Sequence, residues 1–341
     1  MKNRLVMTGT LGTVKPDQIK AFEAEFLQKF PQGEFEFLND MPVSDDELIA
    51  KIKEADVMIT TYQKISEKVY AAAAPPLRAC ISYGIGYDSC NVEAASRHNV
   101  AVANMPDWCQ QEVGLHAVTL MLALHRGILP TIRALDEGRW TDRFAIVAPV
   151  ERFSLMTVGF YGFGNIAREA AKMLSGFGVT MIAHDPYVDK AVMAEFGVSP
   201  VDFDTLVRSS DYLSIHAPML PSTAKIINAD VFENMKRSAS IINTSRGGLI
   251  DVEALYDALK KGRIRSAGLD VFVTEPPTGV EAEMCKLPNV LSTPHIGYYS
   301  EAAYLELKSK TIDEAIRVMK GERPLNLRNP EIEDKLDWIG K

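Results

Sequence analysis

The stretch Thr157-Val158-Gly159-Phe160-Tyr161-Gly162-Phe163-Gly164-Asn165-Ile166-Ala167 joins an apolar, strand-like run to an amphipathic helical one. Gly162 and Gly164 fill the first two places of a GxGxx(G/A) pattern, and Ala167 fills the third. In such a turn the first glycine permits a tight bend. The second lets a pyrophosphate approach the backbone, where helix N-terminal amides and the helix dipole favour negative charge. The third place needs only a small side chain for helix–strand packing, so alanine suffices. A glycine turn between strand and helix can also serve packing alone, so the triplet needs support. Asp185 gives it: this residue ends the next strand-like run, 23 residues after Gly162, close to the ~20-residue spacing of a ribose-binding carboxylate. A carboxylate there accepts both ribose hydroxyls and repels a 2′-phosphate, which favours NAD over NADP.

Outward from this loop, strand-like and helical runs alternate in two series. The first has strands at 4–7, 34–37, 56–60 and 77–82, separated by helices at 16–30, 45–55 and 66–73. The second has strands at 157–160, 179–184, 212–216, 240–243, 266–271 and 290–292, with a helix at 165–177. Such alternation implies βαβ units and parallel sheets covered on both faces. The expected fold is α/β: two doubly wound parallel-sheet (Rossmann-like) domains joined by a hinge. Helical stretches at 112–126 and 130–138 lie between the series; a helix at 300–320 and an extended tail at 321–330 follow them and would return to the first domain. Residues 1–105 and 297–341 are therefore assigned to a substrate (catalytic) domain, and 106–296 to an NAD-binding Rossmann domain.

Composition narrows the function class. The 341 residues carry 45 acidic and 37 basic side chains, a formal charge of −8, which argues against nucleic acid or an anionic membrane as partner. The start, MKNRLVMTGT, has neither a long apolar run nor a small-residue cleavage site. The apolar stretch 113–124 carries His116 and falls short of the ~20 residues a membrane span requires. Cys80, Cys90, Cys109 and Cys285 form no CxxC pair, and no histidine completes a zinc spacing. No metal site and no membrane contact are expected, and free thiols fit a cytoplasmic location.

Three later segments place polar residues at strand ends: Asn243-Thr244-Ser245-Arg246-Gly247-Gly248, Leu269-Asp270-Val271-Phe272 with Glu275-Pro276-Pro277, and Thr293-Pro294-His295-Ile296-Gly297. In an open parallel sheet these ends line the ligand crevice. Reduction of a 2-oxo acid puts negative charge on the carbonyl oxygen, so a fixed cation and a proton donor should meet there. Arg246 can grip a carboxylate in two-point fashion, and His295, steadied by a carboxylate, can give or take a proton near neutrality. His98, His116, His125, His184 and His216 read instead as surface, helix-packing or strand-end residues. A second glycine cluster, Tyr83-Gly84-Ile85-Gly86-Tyr87, reads as a packing turn whose amides could also hold a small carboxylate.

At these residues the chain resembles the D-2-hydroxyacid dehydrogenase family, from about residue 4 to the Asn329-Pro330 tail. The resemblance implies a hydride transfer between NAD(H) and a 2-oxo acid/(R)-2-hydroxy acid pair. It makes His295 the acid/base, Glu275 its partner and Arg246 the anchor for substrate carboxylate and oxygen, with the amides of Ile85 and Gly86 assisting. Coenzyme contacts map onto Gly162, Gly164, Asn165, Ile166, Asp185, Ala217, Pro218, Thr223, Thr244 and Ser245, with Asp270 on the nicotinamide carboxamide. Relatives pair through the region matching 112–138, which implies a homodimer. Many relatives carry an acidic residue before the helix histidine; here it is Leu115. Glu275 speaks against a formate-specific branch, and the absence of lysine in 83–87 against a phosphite-oxidising one. Two alternatives stay open: an NADH-sensing binding protein of the C-terminal-binding-protein type, and a hydroxypyruvate or glyoxylate reductase.

Overall fold

The computed structural model describes residues 3–9, 15–38, 44–61, 63–141, 143–147 and 149–338, so the outermost ends of the expected first domain, 1–2 and 339–341, lie outside it. The chain forms two compact units, Met1–Trp108 with Glu301–Lys341, and Cys109–Ser300.

The first unit holds β1 (Arg4–Thr8), β2 (Glu34–Leu38), β3 (Val57–Thr60), β4 (Ala79–Ser82) and β5 (Ala101–Ala103). All neighbours run parallel in the order β2-β1-β3-β4-β5. Val57-Met58-Ile59-Thr60 and Ala79-Cys80-Ile81-Ser82 are buried on both faces, as a parallel sheet between helix layers requires. The helix Glu301–Met319 packs in this unit, where its Asp313 pairs with Lys29 at 2.8 Å. The tail expected at 321–330 joins β5 through a bridge between Leu327 and Ala103.

The second unit holds β6 (Thr157–Tyr161), β7 (Thr180–His184), β8 (Val198–Pro200), β9 (Tyr212–Ile215), β10 (Ser240–Asn243), β11 (Ser266–Leu269) and β12 (Val290–Ser292). These seven strands are parallel in the order β12-β11-β10-β9-β6-β7-β8. The chain leaves β6 toward β7 and β8, then crosses back to β9, so the topological switch point lies between β6 and β9, where open α/β sheets bind ligands. The helix Asn165–Ser175 buries Ala167, Ala170, Ala171 and Leu174, one face at helical spacing. It lies so close to the helix Gln110–His125 that a Cβ at Gly114 would stand 3.1 Å from the Ala170 nitrogen.

Three local readings need correction. The strand expected at 266–271 stops at Leu269, because Asp270 turns its carboxylate into the loop that follows β12. The helix expected at 130–138 runs Ile128–Asp136, with Pro130 inside its first turn; amides there have no intrahelical partner, so proline costs nothing. The three-residue strands β5 and β8 are too short to show a period and escape sequence reading. Among the described residues no single helix is long and apolar enough to cross a membrane; Gln110–His125 and Ile128–Asp136 pass that test only together, across a 56° bend.

Candidate active site

The Gly162 loop sits at the switch point. Gly162 adopts φ +87° and packs on the chain after β9, where an added Cβ would come within 2.7 Å of the Ala217 nitrogen. Gly164 caps the helix Asn165–Ser175 with no side chain over its amides, and a Cβ there would meet nothing within 4 Å. Open space over free helix N-terminal amides suits a pyrophosphate. Asp185 fixes the loop's outer edge: its Oδ2 accepts the Phe163 amide and its Oδ1 the Tyr187 amide, each at 2.8 Å. Thr223 ties its own loop by accepting from the Leu220 amide and donating to the Pro218 carbonyl, both at 2.8 Å. Ser245 donates to the Ile215 carbonyl at 2.9 Å, whereas Thr244 keeps a buried hydroxyl with no partner. These features fit a dinucleotide.

His216, next to this loop, is half-buried; desolvation lowers its pKa to about 4, and its Nε2 lies 2.9 Å from the Ser214 hydroxyl. Its ring is a neutral packing element beside β6 rather than an acid.

The loops after β11 and β12 meet at Glu275 and His295. His295 Nδ1 lies 2.7 Å from Glu275 Oε2, and Glu275 Oε1 accepts the Phe272 amide at 3.0 Å. Burial by itself would raise the Glu275 carboxyl; the His295 contact, the Phe272 amide and the Arg246 charge hold it below its ordinary value. Arg246 reaches this neighbourhood because Gly247 packs against the backbone of Phe272, where any Cβ would stand 2.1 Å from the carbonyl carbon. The guanidinium donates from Nη1 to the Ser245 carbonyl at 2.8 Å. Tyr298 sets its ring edge-on to His295 at 6.1 Å.

Asp270 turns its carboxylate into the loop that follows β12. Its side chain is nearly inaccessible and accepts from the Thr293 hydroxyl at 2.6 Å, the Ile296 amide at 3.0 Å and the Gly297 amide at 2.9 Å. Burial opposes ionisation, but these donors and His116 bring its carboxyl down to about 2. Glu281, which sequence reading missed, accepts the Val273 and Thr274 amides at 2.7 and 3.1 Å and so fixes the chain just before Glu275. No local signal distinguishes it from a surface glutamate. Ile85 and Gly86 belong to the first unit, where the Ser82 hydroxyl donates to the Gly86 carbonyl at 2.6 Å. Among the described residues no group of His, Cys, Asp and Glu could hold a metal.

Residues 118–297 match the sequence profile of the D-isomer specific 2-hydroxyacid dehydrogenase NAD-binding domain. The chain belongs to the D-isomer specific 2-hydroxyacid dehydrogenase family. It is 35% identical over 288 residues to the D-3-phosphoglycerate dehydrogenase of Methanocaldococcus jannaschii, a match spanning 84% of this chain and 54% of that protein. The chain thus spans about half the length of the curated relatives of this kind. It is 38% identical over 254 residues to the hydroxypyruvate reductase of Thermotoga maritima, covering 74% of this chain and 81% of that protein. The structure of an Aquifex aeolicus D-lactate dehydrogenase complexed with NAD and lactic acid superposes with a TM-score of 0.83 over 99% of both chains, at 22% identity. That likeness establishes the fold. The Gly162 loop of this family member therefore belongs to an NAD-binding domain.

Proposed function

We propose that the chain is an NAD-dependent D-2-hydroxyacid dehydrogenase interconverting a 2-oxo acid and its (R)-2-hydroxy acid. The observation that carries this reading is the 2.7 Å pair of His295 and Glu275, held in the unit that contains the Gly162 loop. When bound, the nicotinamide supplies the hydride acceptor or donor. Gly162, Gly164, Asn165 and Ile166 would hold the pyrophosphate and Asp185 the adenosine ribose. Ala217, Pro218, Thr223, Thr244 and Ser245 would flank the dinucleotide, with Asp270 toward the carboxamide. Glu275 engages Nδ1 of His295, which leaves Nε2 to give a proton to the substrate oxygen in reduction and to take it back in oxidation. Arg246 would grip the substrate carboxylate and stabilise charge on that oxygen, with the amides of Ile85 and Gly86 assisting.

On this reading residues 1–105 and 297–341 form the substrate domain and 106–296 the NAD-binding domain. A homodimer is proposed through the region 112–138, supported by the exposed Ile128, Ile132 and Leu135 on one face of their helix; sedimentation of an Ile132→Asp variant as a monomer would support it. A cytoplasmic location is proposed because all four cysteines are free thiols. Hydroxypyruvate or glyoxylate is a second substrate reading, the former favoured by the Thermotoga maritima relative.

The test is NADH consumption, followed by absorbance, over pyruvate, hydroxypyruvate, glyoxylate, phenylpyruvate and sugar-derived 2-oxo acids, repeated with NADPH. Turnover of at least one with NADH and little with NADPH is expected. Tight NADH binding with no oxidation by any of them would overturn the enzyme reading in favour of a nucleotide sensor.

A further inference from the structure

The turn that presents His295 is braced from a distant part of the chain. His116 stands mid-way along the helix Gln110–His125, with Nε2 2.9 Å from the Thr293 hydroxyl and 3.4 Å from Asp270 Oδ1. Thr293 has one hydroxyl proton, and at 2.6 Å from Asp270 Oδ1 it goes to the carboxylate, which only accepts. Nε2 of His116 therefore carries a hydrogen and donates it to Thr293. A one-way relay of hydrogen bonds results, from His116 through Thr293 to Asp270. It ends on the carboxylate that also takes the amides of Ile296 and Gly297, the two residues directly after His295.

The fit is tight. A Cβ at Gly297 would come within 2.8 Å of Asp270 Oδ2 and 3.1 Å of the His116 ring. One turn earlier on the same helix, Glu112 accepts the Ser300 hydroxyl at 2.7 Å, so this helix holds the segment on both sides of His295. Neither contact belongs to the set that resemblance implies.

We propose that His116 is a positioning residue for the acid/base turn, acting through Thr293 to hold Asp270 in the orientation that fixes His295. The consequence for catalysis rests on the dehydrogenase reading; the structural relay does not. Amide hydrogen exchange, measured without coenzyme or substrate, reads the turn directly. In H116L, exchange at Ile296 and Gly297 should accelerate about tenfold or more, while Phe163, whose amide is held by Asp185, keeps its rate. The kcat for a 2-oxo acid should fall about ten- to a hundredfold, with KM for NADH within about twofold of wild type. H116Q, whose side-chain amide can still donate, should recover most of both properties. T293V should reproduce H116L, and combining the two should add little further loss.

Unaltered exchange at Ile296 and Gly297 in both H116L and T293V would overturn the proposal. So would an H116Q protein as impaired as H116L. A wild-type chain that reduced no 2-oxo acid would defeat the dehydrogenase reading alone, and the exchange rates would still decide the role of His116.

Discussion

Asp270 and His295 are joined through both backbone and side chain. The His295 amide donates to the Asp270 carbonyl at 2.8 Å, while the Asp270 carboxylate binds Thr293, Ile296 and Gly297 on either side of that histidine. His295 is thereby held at φ +50°, a left-handed conformation that costs a non-glycine residue about 1–3 kcal/mol. In that conformation Nδ1 of the ring meets Glu275 Oε2 at 2.7 Å.

Replacing Glu275 by glutamine tests that pairing. In the proposed mechanism reduction takes its proton from His295, whose Nδ1 this carboxylate engages. Without the carboxylate that orients the ring, kcat/KM should drop by about tenfold or more. A kcat/KM equal to wild type would remove Glu275 from the mechanism.

Arg246→Ala removes the proposed anchor, and kcat/KM for 2-oxo acids should drop by about 1,000-fold. Arg246→Lys should recover only part of this, since an ammonium cannot make the two-point grip. Near-native kinetics in the alanine variant would show that the carboxylate is bound elsewhere.

The two loop glycines should separate folding from binding. Gly162→Ala forces a side chain into the Ala217 backbone at positive φ, so thermal stability and NAD affinity should fall together. Gly164→Ala enters open space; stability should change by less than about 0.5 kcal/mol, while NAD affinity falls about tenfold or more through loss of backbone approach. Fluorescence titration alongside thermal melts distinguishes the cases; full NAD affinity in Gly164→Ala would place the pyrophosphate elsewhere.

Asp270 makes stability depend on pH in a defined direction. Its carboxyl lies at about 2 against an ordinary 3.8, so the folded state binds its proton more weakly than the unfolded chain does. The corresponding stabilisation, about 2 kcal/mol, is complete above the ordinary value and is lost as the pH falls from there toward 2. In urea titrations the gap between wild type and Asp270→Asn should therefore narrow between about pH 5 and pH 3. A constant gap would mean the carboxylate's charge contributes nothing to the fold.

Most of the sheet strands were legible because buried parallel strands are written as local apolar runs, as in Val57-Met58-Ile59-Thr60. The Gly162 loop and Asp185 were legible for the same reason: a turn and a strand end announce themselves within some twenty-odd residues of sequence. Asp270 is legible only as a polar residue at a strand end. A lone acidic residue after an apolar strand signals a purpose, but the partners that reveal it stand 23 to 27 residues further on.

The amino-acid order alone settled the α/β class, the dinucleotide turn and the polar residues carried at strand ends, since each is encoded in short-range pattern and backbone preference. Folding in three dimensions decided the strand order that puts the switch point between β6 and β9. It also decided the use of Glu281 as a loop clamp and the reach of His116 across 177 positions to Thr293. Those outcomes depend on which distant surfaces pack together, and a hydrogen bond between remote residues leaves no period in the sequence.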